Sequence, residues 1–357
     1  MQQNKIKADL SDVSQTLLGP LWARAQVSKE YSSLFCDEKA IELVERIDYD
    51  FSASDDVPMG ILFATSFKYN LSLFAGALRA KQFDEKAKAY IAEHPYASVI
   101  NIAAGLDTTF YRVDNGLIHW YDLDLPAVIE IRKQLLPEPG RVTYIAKSLL
   151  DPSWFEDVTY TEDGVFMIAG GVNRVLHSFG EAQVKQFFSM LADNFPDGEI
   201  VFDAVSRSAG GFRTWIDRFP PEQRDAMRAA WMEALKGWWE KAPQNQKDKV
   251  NDMIATLETP TTPKGKEWAD VEAWWNQLSD KEKEEVLRDL MTVFRGRGGT
   301  WVPNDINEIA RWDSRISVID QFPMFKNIPR DSLSAEIQRF MDYNDERGES
   351  SIIHLRV

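Results

Sequence analysis

Residues 101–110 read NIAAGLDTTF, between the apolar run ASVI and a second apolar run that ends on two acids in WYDLDLP. A tight glycine turn after a strand lets backbone N–H groups approach a ligand closely. An acid ending the next strand can accept from ribose hydroxyls. Gly105 supplies the turn, and Asp122 and Asp124 are rival acids. The same texture fits an ordinary strand–turn–helix junction, so the rest of the chain must separate the two readings. His177 follows a fourth apolar run, on the side where a doubly wound sheet holds its ligand, which makes it a candidate general base or substrate contact. A packed or capping histidine is the plain alternative. Asp203 ends a fifth run and reads as a pocket acid or a buried structural one, and His119 lies inside a run and reads as structural.

Metal chemistry is not expected. The four histidines (His94, His119, His177, His354) are scattered without ligand spacing, and the single cysteine, Cys36, can build neither a disulfide nor a thiolate site. The net charge of −15 argues against nucleic acid as the main partner, because phosphate binding needs a basic footprint. No run approaches a membrane-spanning length, the polar start MQQNKIKADLSDVSQ lacks a signal-peptide core, and one cysteine suits a reducing compartment. A cytoplasmic protein that does not enter the membrane is the expectation.

The elements that position these residues follow from periodicity. The first ninety-odd residues read as helical. Asp37 is a candidate N-cap for DEKAIELVER, residues 60–80 form an apolar helical stretch, and FDEKAKAYIAEHP reads as a further helix. From Tyr96 the texture alternates. YASVINIA, GLIHWYDLD, RVTYIAKS, GVFMIAGGV and GEIVFDAVS read as five strands, with helices at LPAVIEIRKQLLP and GEAQVKQFFSMLADNFP. This alternation predicts a parallel, doubly wound sheet, to which WDSRISVIDQF and SSIIHLRV add two late strands.

Residues 206–300 differ. They hold seven of the twelve tryptophans: Trp215, Trp231, Trp238, Trp239, Trp268, Trp274 and Trp275. GWWEKAPQNQKDKVNDMIATL and AWWNQLSDKEKEEVLRDLMTV echo one another, each with a tryptophan pair, a turn and an amphipathic helix; Ser279 and Glu282 have capping-box spacing. The segment reads as a small helical unit, a lid whose tryptophans either line an acceptor pocket or fill the unit's own core. RGRGG at 295–299 reads as a hinge or a return loop.

Taken together, WARA (22–25), DEKAIELVERIDYDFS (37–52), LRAKQFD (78–84), NIAAGLDTTFYRVD (101–114), WYDLDLPAVIEIRKQLLP (120–137) and FPDGEIVFDAVS (195–206) resemble the leucine carboxyl methyltransferase family, which includes polyketide O-methyltransferases of the tetracenomycin type. The tail, from NEIARWDSRISVID to IIHLRV, is similar as well; the helical insert is not part of the common pattern. The resemblance implies a class I, S-adenosyl-L-methionine-dependent fold: α/β, doubly wound, with a seven-stranded, mostly parallel sheet. The implied organisation is an N-terminal helical cap (1–95), a cofactor-binding core (96–205 and 301–357) and a helical insert after the fifth strand (206–300).

The resemblance also implies roles for single residues. Gly105 and Ala103 belong to the turn that approaches the methionine end of the cofactor. Asp124, directly before Leu-Pro, takes the ribose hydroxyls, with Leu125 beside it. Ser148 and Leu149 fall where the family contacts adenine. Arg79 corresponds to the arginine on the cofactor carboxylate, a planar partner suited to bidentate pairing, with Arg24 as a second cation. Ordinary ion pairing for the arginines and helix capping for Asp124 are the plain alternatives.

Four positions depart from the family's pattern. Ala103 replaces the family's usual glycine, and alanine is free of strain there only if φ is not positive. Ser148 stands where an acid is usual. Gly170 and Val175 stand where an acid and a tyrosine are usual.

The implied function is transfer of a methyl group to a carboxylate or hydroxyl oxygen of a small, planar or hydrophobic acceptor. The competing readings are a protein carboxyl methyltransferase that docks through the insert, and a non-catalytic S-adenosyl-L-methionine-binding protein. The acceptor and the oligomeric state are not legible in the sequence.

Overall fold

The computed structural model describes residues 17–49, 71–136, 140–170, 176, 179–205, 220–255, 261–283, 285–286, 306–348 and 350–357. His177, Val175, Trp215 and the RGRGG run lie outside the described residues.

Two helices open the described chain, α1 (Leu18–Glu30) and α2 (Glu38–Arg46). Asp37 caps α2, its side chain accepting from the Ala40 amide at 2.9 Å. Helix α3 (Leu71–Glu93) is one continuous helix of 23 residues. It joins the end of the apolar 60–80 stretch to the FDEKAKAY segment, which periodicity had read as separate. Between them Ala80, Lys81 and Gln82 are good helix formers with no proline or capping signal, so nothing breaks the helix.

The sheet has seven strands: β1 (Ser98–Ile102), β2 (His119–Asp124), β3 (Val142–Ala146), β4 (Val165–Ala169), β5 (Glu199–Val205), β6 (Ser317–Pro323) and β7 (Ser350–Arg356). Their order is β3-β2-β1-β4-β5-β7-β6; the first five pair in parallel, and β7 runs antiparallel between β5 and β6. Strands β1 and β4 are buried along their whole length, which explains their unbroken apolar sequences: layers of side chains cover both faces. Strand order reverses between β1 and β4. In open sheets of this kind the crevice at that switch, outside the carboxyl ends of the strands, is where ligands bind.

Two apolar layers flank the sheet. Helix α3 covers one face through Phe74, Leu78, Phe83 and Ala87. Helix α6 (Glu181–Asn194) covers the other with Val184, Phe187, Phe188 and Leu191. The short α4 (Phe110–Val113) follows the glycine turn, and α5 (Pro126–Leu135) follows β2. A third cluster joins Leu21 and Ala25 of α1, Ala40 and Leu43 of α2, Leu106 of the turn and Ile131 and Leu135 of α5. The N-terminal helices therefore pack on the glycine turn itself.

After β5 come α7 (Pro221–Lys241), α8 (Gln244–Ala255) and α9 (Trp268–Gln277). Both tryptophan pairs sit in the last turns of their helices. Trp238, Trp239, Trp274 and Trp275 are buried with Leu235, Val250, Ile254 and Val271. Among the described residues, these four lie in the apolar core of the helices. Ser279 and Glu282 exchange capping hydrogen bonds. The chain closes through α10 (Asn307–Trp312), β6, α11 (Ala335–Arg347) and β7. Among the described residues no helix is long and apolar enough to cross a membrane.

Candidate cofactor site at the carboxyl ends of the strands

In a strand, residues two apart share a face, so Asp122 and Asp124 point the same way from β2. Their surroundings separate them. Asp122 is 1% exposed and accepts from Asn101 Nδ2 at 2.9 Å, Trp120 Nε1 at 2.9 Å, and Arg132 Nε and Nη2 at 3.0 and 2.6 Å. Burial pushes its carboxyl above the ordinary range, and Arg132 acts in the opposite direction. With four donors on two oxygens, Asp122 is a structural carboxylate.

Asp124 stands at the rim. One oxygen accepts from the Gly105 amide at 2.7 Å and the other from the Leu125 amide at 2.7 Å. Burial raises its carboxyl from the ordinary 3.8, against those two amides and Arg132. Next to it Leu125 is 55% exposed, an apolar side chain presented at the strand end.

The turn between β1 and α4 has a left-handed backbone at two positions, with φ of 55° at Ala103 and 49° at Gly105. Glycine suits the second. At the first, Ala103 adopts a positive φ, the conformation that alanine accommodates poorly, at a cost of roughly 1–2 kcal/mol. Such strain persists where surrounding contacts over-determine the backbone. Here Arg132 Nη1 donates to the carbonyls of Gly105 and Asp107, both at 2.9 Å, while the Ala104 amide donates to Leu123 O at 3.2 Å.

A second clamp comes from the N-terminal helices. The Asp37 oxygen not used for the main capping bond accepts from Arg24 Nε (3.0 Å), Thr108 Oγ1 (2.6 Å) and Arg112 Nη1 (2.6 Å). Arg112 then reaches α3, giving Nε and Nη2 to Asp84 at 2.6 and 2.9 Å. Burial raises the Asp84 carboxyl against the pull of Arg112. For Asp107 burial acts upward too, but Arg24, Arg112 and the hydrogen bonds from Thr109 together hold the carboxyl below its ordinary value.

The DTTFYR part of the motif is thus largely internal. Asp107, Thr108, Arg112, Asp84 and Arg132 are residues that sequence reasoning did not single out, and it saw Asp37 only as a cap. The available signal was a dense set of polar residues inside otherwise buried segments, and one sequence does not say how such residues pair.

Arg24 is 6% exposed, with Nη2 on Leu106 O at 2.7 Å besides its bond to Asp37. It is committed to the turn instead of standing as an open cation. Arg79, on α3, is partly exposed and donates through Nη1 to Asp203 Oδ2 at 3.2 Å. Gly170 follows β4 immediately; a Cβ there would stand 3.0 Å from the Phe83 ring, which would have to give by a few tenths of an ångström. Ser148 is half-buried and its hydroxyl accepts from the Leu150 amide at 3.3 Å. Leu149 is buried, with its carbonyl taking the Trp154 indole N–H at 3.2 Å.

The described histidines lie elsewhere. His94 precedes β1, His119 starts β2 and stacks on Tyr160, and His354 pairs with Glu199 at the start of β5. A groove of about 630 Å³ opens between α2, α3 and α4, beside Asp84 and Arg112, away from the strand ends. Among the described residues no cluster of His, Cys, Asp and Glu could hold a metal.

The leucine carboxyl methyltransferase family model matches residues 18–153. The chain is 32% identical over 197 residues to the tetracenomycin polyketide synthesis O-methyltransferase TcmP of Streptomyces glaucescens, covering 55% of this chain and 67% of that protein. It is 27% identical over 217 residues to the S-adenosyl-L-methionine-dependent methyltransferase dpfgK of Gibberella zeae, covering 56% and 69%. Among solved structures, an O-methyltransferase family protein from Burkholderia thailandensis superimposes with a TM-score of 0.37 at 14% identity, over 97% of this chain and 73% of that one.

Two predictions test the clamps. Arg112→Leu leaves Asp84 without its ion partner and Asp37 with Arg24 as its remaining one, and should destabilise the protein by about 3–5 kcal/mol in urea unfolding; Arg112→Leu with Asp84→Leu should recover part of that loss. A single variant of wild-type stability would contradict the pairing. Ala103→Gly should leave stability unchanged or raise it by up to about 1 kcal/mol, whereas Gly105→Ala should lower it by roughly 1–2 kcal/mol. The reverse order would show that the backbone at 103 is not left-handed.

Proposed function

Because this chain belongs to the leucine carboxyl methyltransferase family of S-adenosylmethionine-dependent methyltransferases, we propose that it methylates a carboxylate or hydroxyl oxygen of a small, planar or hydrophobic molecule. The observation that carries this reading is the pairing of the Gly105 turn with Asp124 at the switch point of the sheet. The residues there fit the cofactor. Asp124 offers a rim carboxylate for two ribose hydroxyls, Leu125 an exposed apolar surface for the adenine, and Ser148 and Leu149 the neighbouring backbone. Arg79 offers a guanidinium for the amino-acid carboxylate. Arg24 contributes by holding the turn through Leu106 and Asp37.

Bound here, S-adenosylmethionine would supply an electrophilic methyl carbon, to which the acceptor oxygen would bond in line as the carbon–sulfur bond breaks and the thioether S-adenosylhomocysteine leaves. The chain's own work is to orient. The Arg132 and Asp37 clamps fix the turn, so Gly105 and Asp124 are in place before the ligand arrives, and little ordering remains to oppose binding. A carboxylate acceptor needs no base. A hydroxyl acceptor is served by one, and His177 remains the candidate by its position in the chain after β4. The O-methyltransferase description of the Streptomyces relative supports oxygen as the acceptor atom.

Radiolabelled S-adenosylmethionine tested against aromatic carboxylic acids and phenols should yield a methylated product, base-labile if an ester and base-stable if an ether. Asp124→Ala should weaken cofactor binding by roughly a hundredfold or more, the worth of two hydrogen bonds to a charged group. Asp124 must be ionised to accept from both hydroxyls, and burial raises its carboxyl above 3.8. Wild-type affinity should therefore fall as pH drops through a window above that value, with the Asp124→Asn variant flat over the same range. Cofactor binding that ignores Asp124, or binding without turnover on either acceptor class, would count against the proposal.

A further inference from the structure

Asp203 is the fifth residue of β5, 3% exposed, at the carboxyl end of the sheet. One oxygen accepts from Arg79 Nη1 at 3.2 Å, while the other, Oδ1, is buried and has no hydrogen-bond partner. A buried carboxylate oxygen left without a donor is costly, and native structures keep few of them without a reason.

Its neighbourhood supplies the reason. The last paired residues of β4 and β5 are Ala169 and Phe202, so Asp203 stands one step further on, beside Gly170. Position 170 carries no side chain, and one added there would press on the Phe83 ring at 3.0 Å. Just past β4, Gly170 thus presents bare backbone. It is bounded on the β5 side by a half-satisfied carboxylate, and above by a guanidinium whose described hydrogen bonds use Nη1 alone. The end of β1, with the Gly105 turn, lies two strand spacings away, about 10 Å. A free acceptor of negative charge next to a partly free planar cation matches an α-amino acid, whose ammonium and carboxylate carry the opposite pattern.

We infer that Asp203 and Arg79 form one zwitterion-binding unit, in which Asp203 Oδ1 accepts from the ammonium of the cofactor's amino-acid end while Arg79 takes its carboxylate. This rests on the proposal that the chain binds S-adenosylmethionine, and it adds what recognises the amino group. The rival role for Asp203 is purely positional: it fixes Arg79 and touches no ligand.

Calorimetry on the full chain separates the two, with S-adenosylhomocysteine, its analogue lacking the amino group, and 5′-methylthioadenosine, which lacks the whole amino-acid end. Wild type should prefer S-adenosylhomocysteine over the deaminated analogue by about tenfold to a hundredfold, as for a hydrogen bond to a charged partner. Asp203→Asn should lose most of that preference and keep its affinity for methylthioadenosine. Arg79→Gln should weaken S-adenosylhomocysteine and the deaminated analogue alike, since both keep the carboxylate. Equal binding of S-adenosylhomocysteine and the deaminated analogue by wild type would overturn the inference without recourse to any variant, even if Asp203→Asn failed to fold. Asp203→Asn weakening both carboxylate-bearing ligands equally would assign the positional role instead. If wild type bound methylthioadenosine with no gain from the amino-acid end, the zwitterion unit alone would fall. Binding of none of the three would remove the cofactor reading and this inference together.

Discussion

The carboxylate of Asp37 is the joint on which the site depends. It accepts four hydrogen bonds, from the Ala40 amide, Arg24, Thr108 and Arg112, and those donors belong to α2, α1, the glycine turn and α4. Arg112 extends the connection to α3 through Asp84. One side chain thereby locks the N-terminal helices to the loop that follows β1. On the other side of the loop, the Asp122–Arg132 pair ties β2 and α5 to the carbonyls of the same turn. A loop with two left-handed residues, one of them alanine, is held in a single shape from both sides.

Ion pairs of this kind are a poor source of net stability, because desolvating the charges consumes much of what their attraction returns. Their value lies in geometry. An apolar contact would let the turn slide, whereas guanidinium–carboxylate pairs fix direction as well as distance. The apolar cluster of Leu21, Leu43, Leu106 and Ile131 brings the same elements together, and the charged network sets how they meet. The arrangement keeps Asp124 at the rim and Asp122 out of use, although the two acids share a face of one strand.

Much of the architecture was legible in the sequence, for a physical reason: strands covered on both faces must be apolar throughout, and helices covered on one face must show their period. SVINI, VFMIA and the α6 pattern of Val184, Phe187, Phe188 and Leu191 are such cases. Asp124 could be separated from Asp122 through its place before Leu-Pro. What could not be read was pairing at a distance. Asp37 lies 71 residues from Thr108 and 75 from Arg112, and no local spacing encodes that meeting. Arg24 looked like an open cation because a sequence records charge and not partners. The positive φ at Ala103 was hidden for a related reason: residue type gives a preference, and the clamps around the turn override it. The continuity of α3 was missed because the end of an apolar stretch and the amphipathic segment after it look like different elements, although residues 71–93 form one helix.

The most direct test is a crystal structure of the protein soaked with S-adenosylhomocysteine. The account requires the ribose hydroxyls on the Asp124 carboxylate, the adenine against Leu125, and the turn from Ala103 to Asp107 unmoved between free and bound forms. A ligand seated in the groove between α2 and α3, or one that reaches Asp124 only after the turn has rearranged, would contradict the claim that the two clamps pre-form the site.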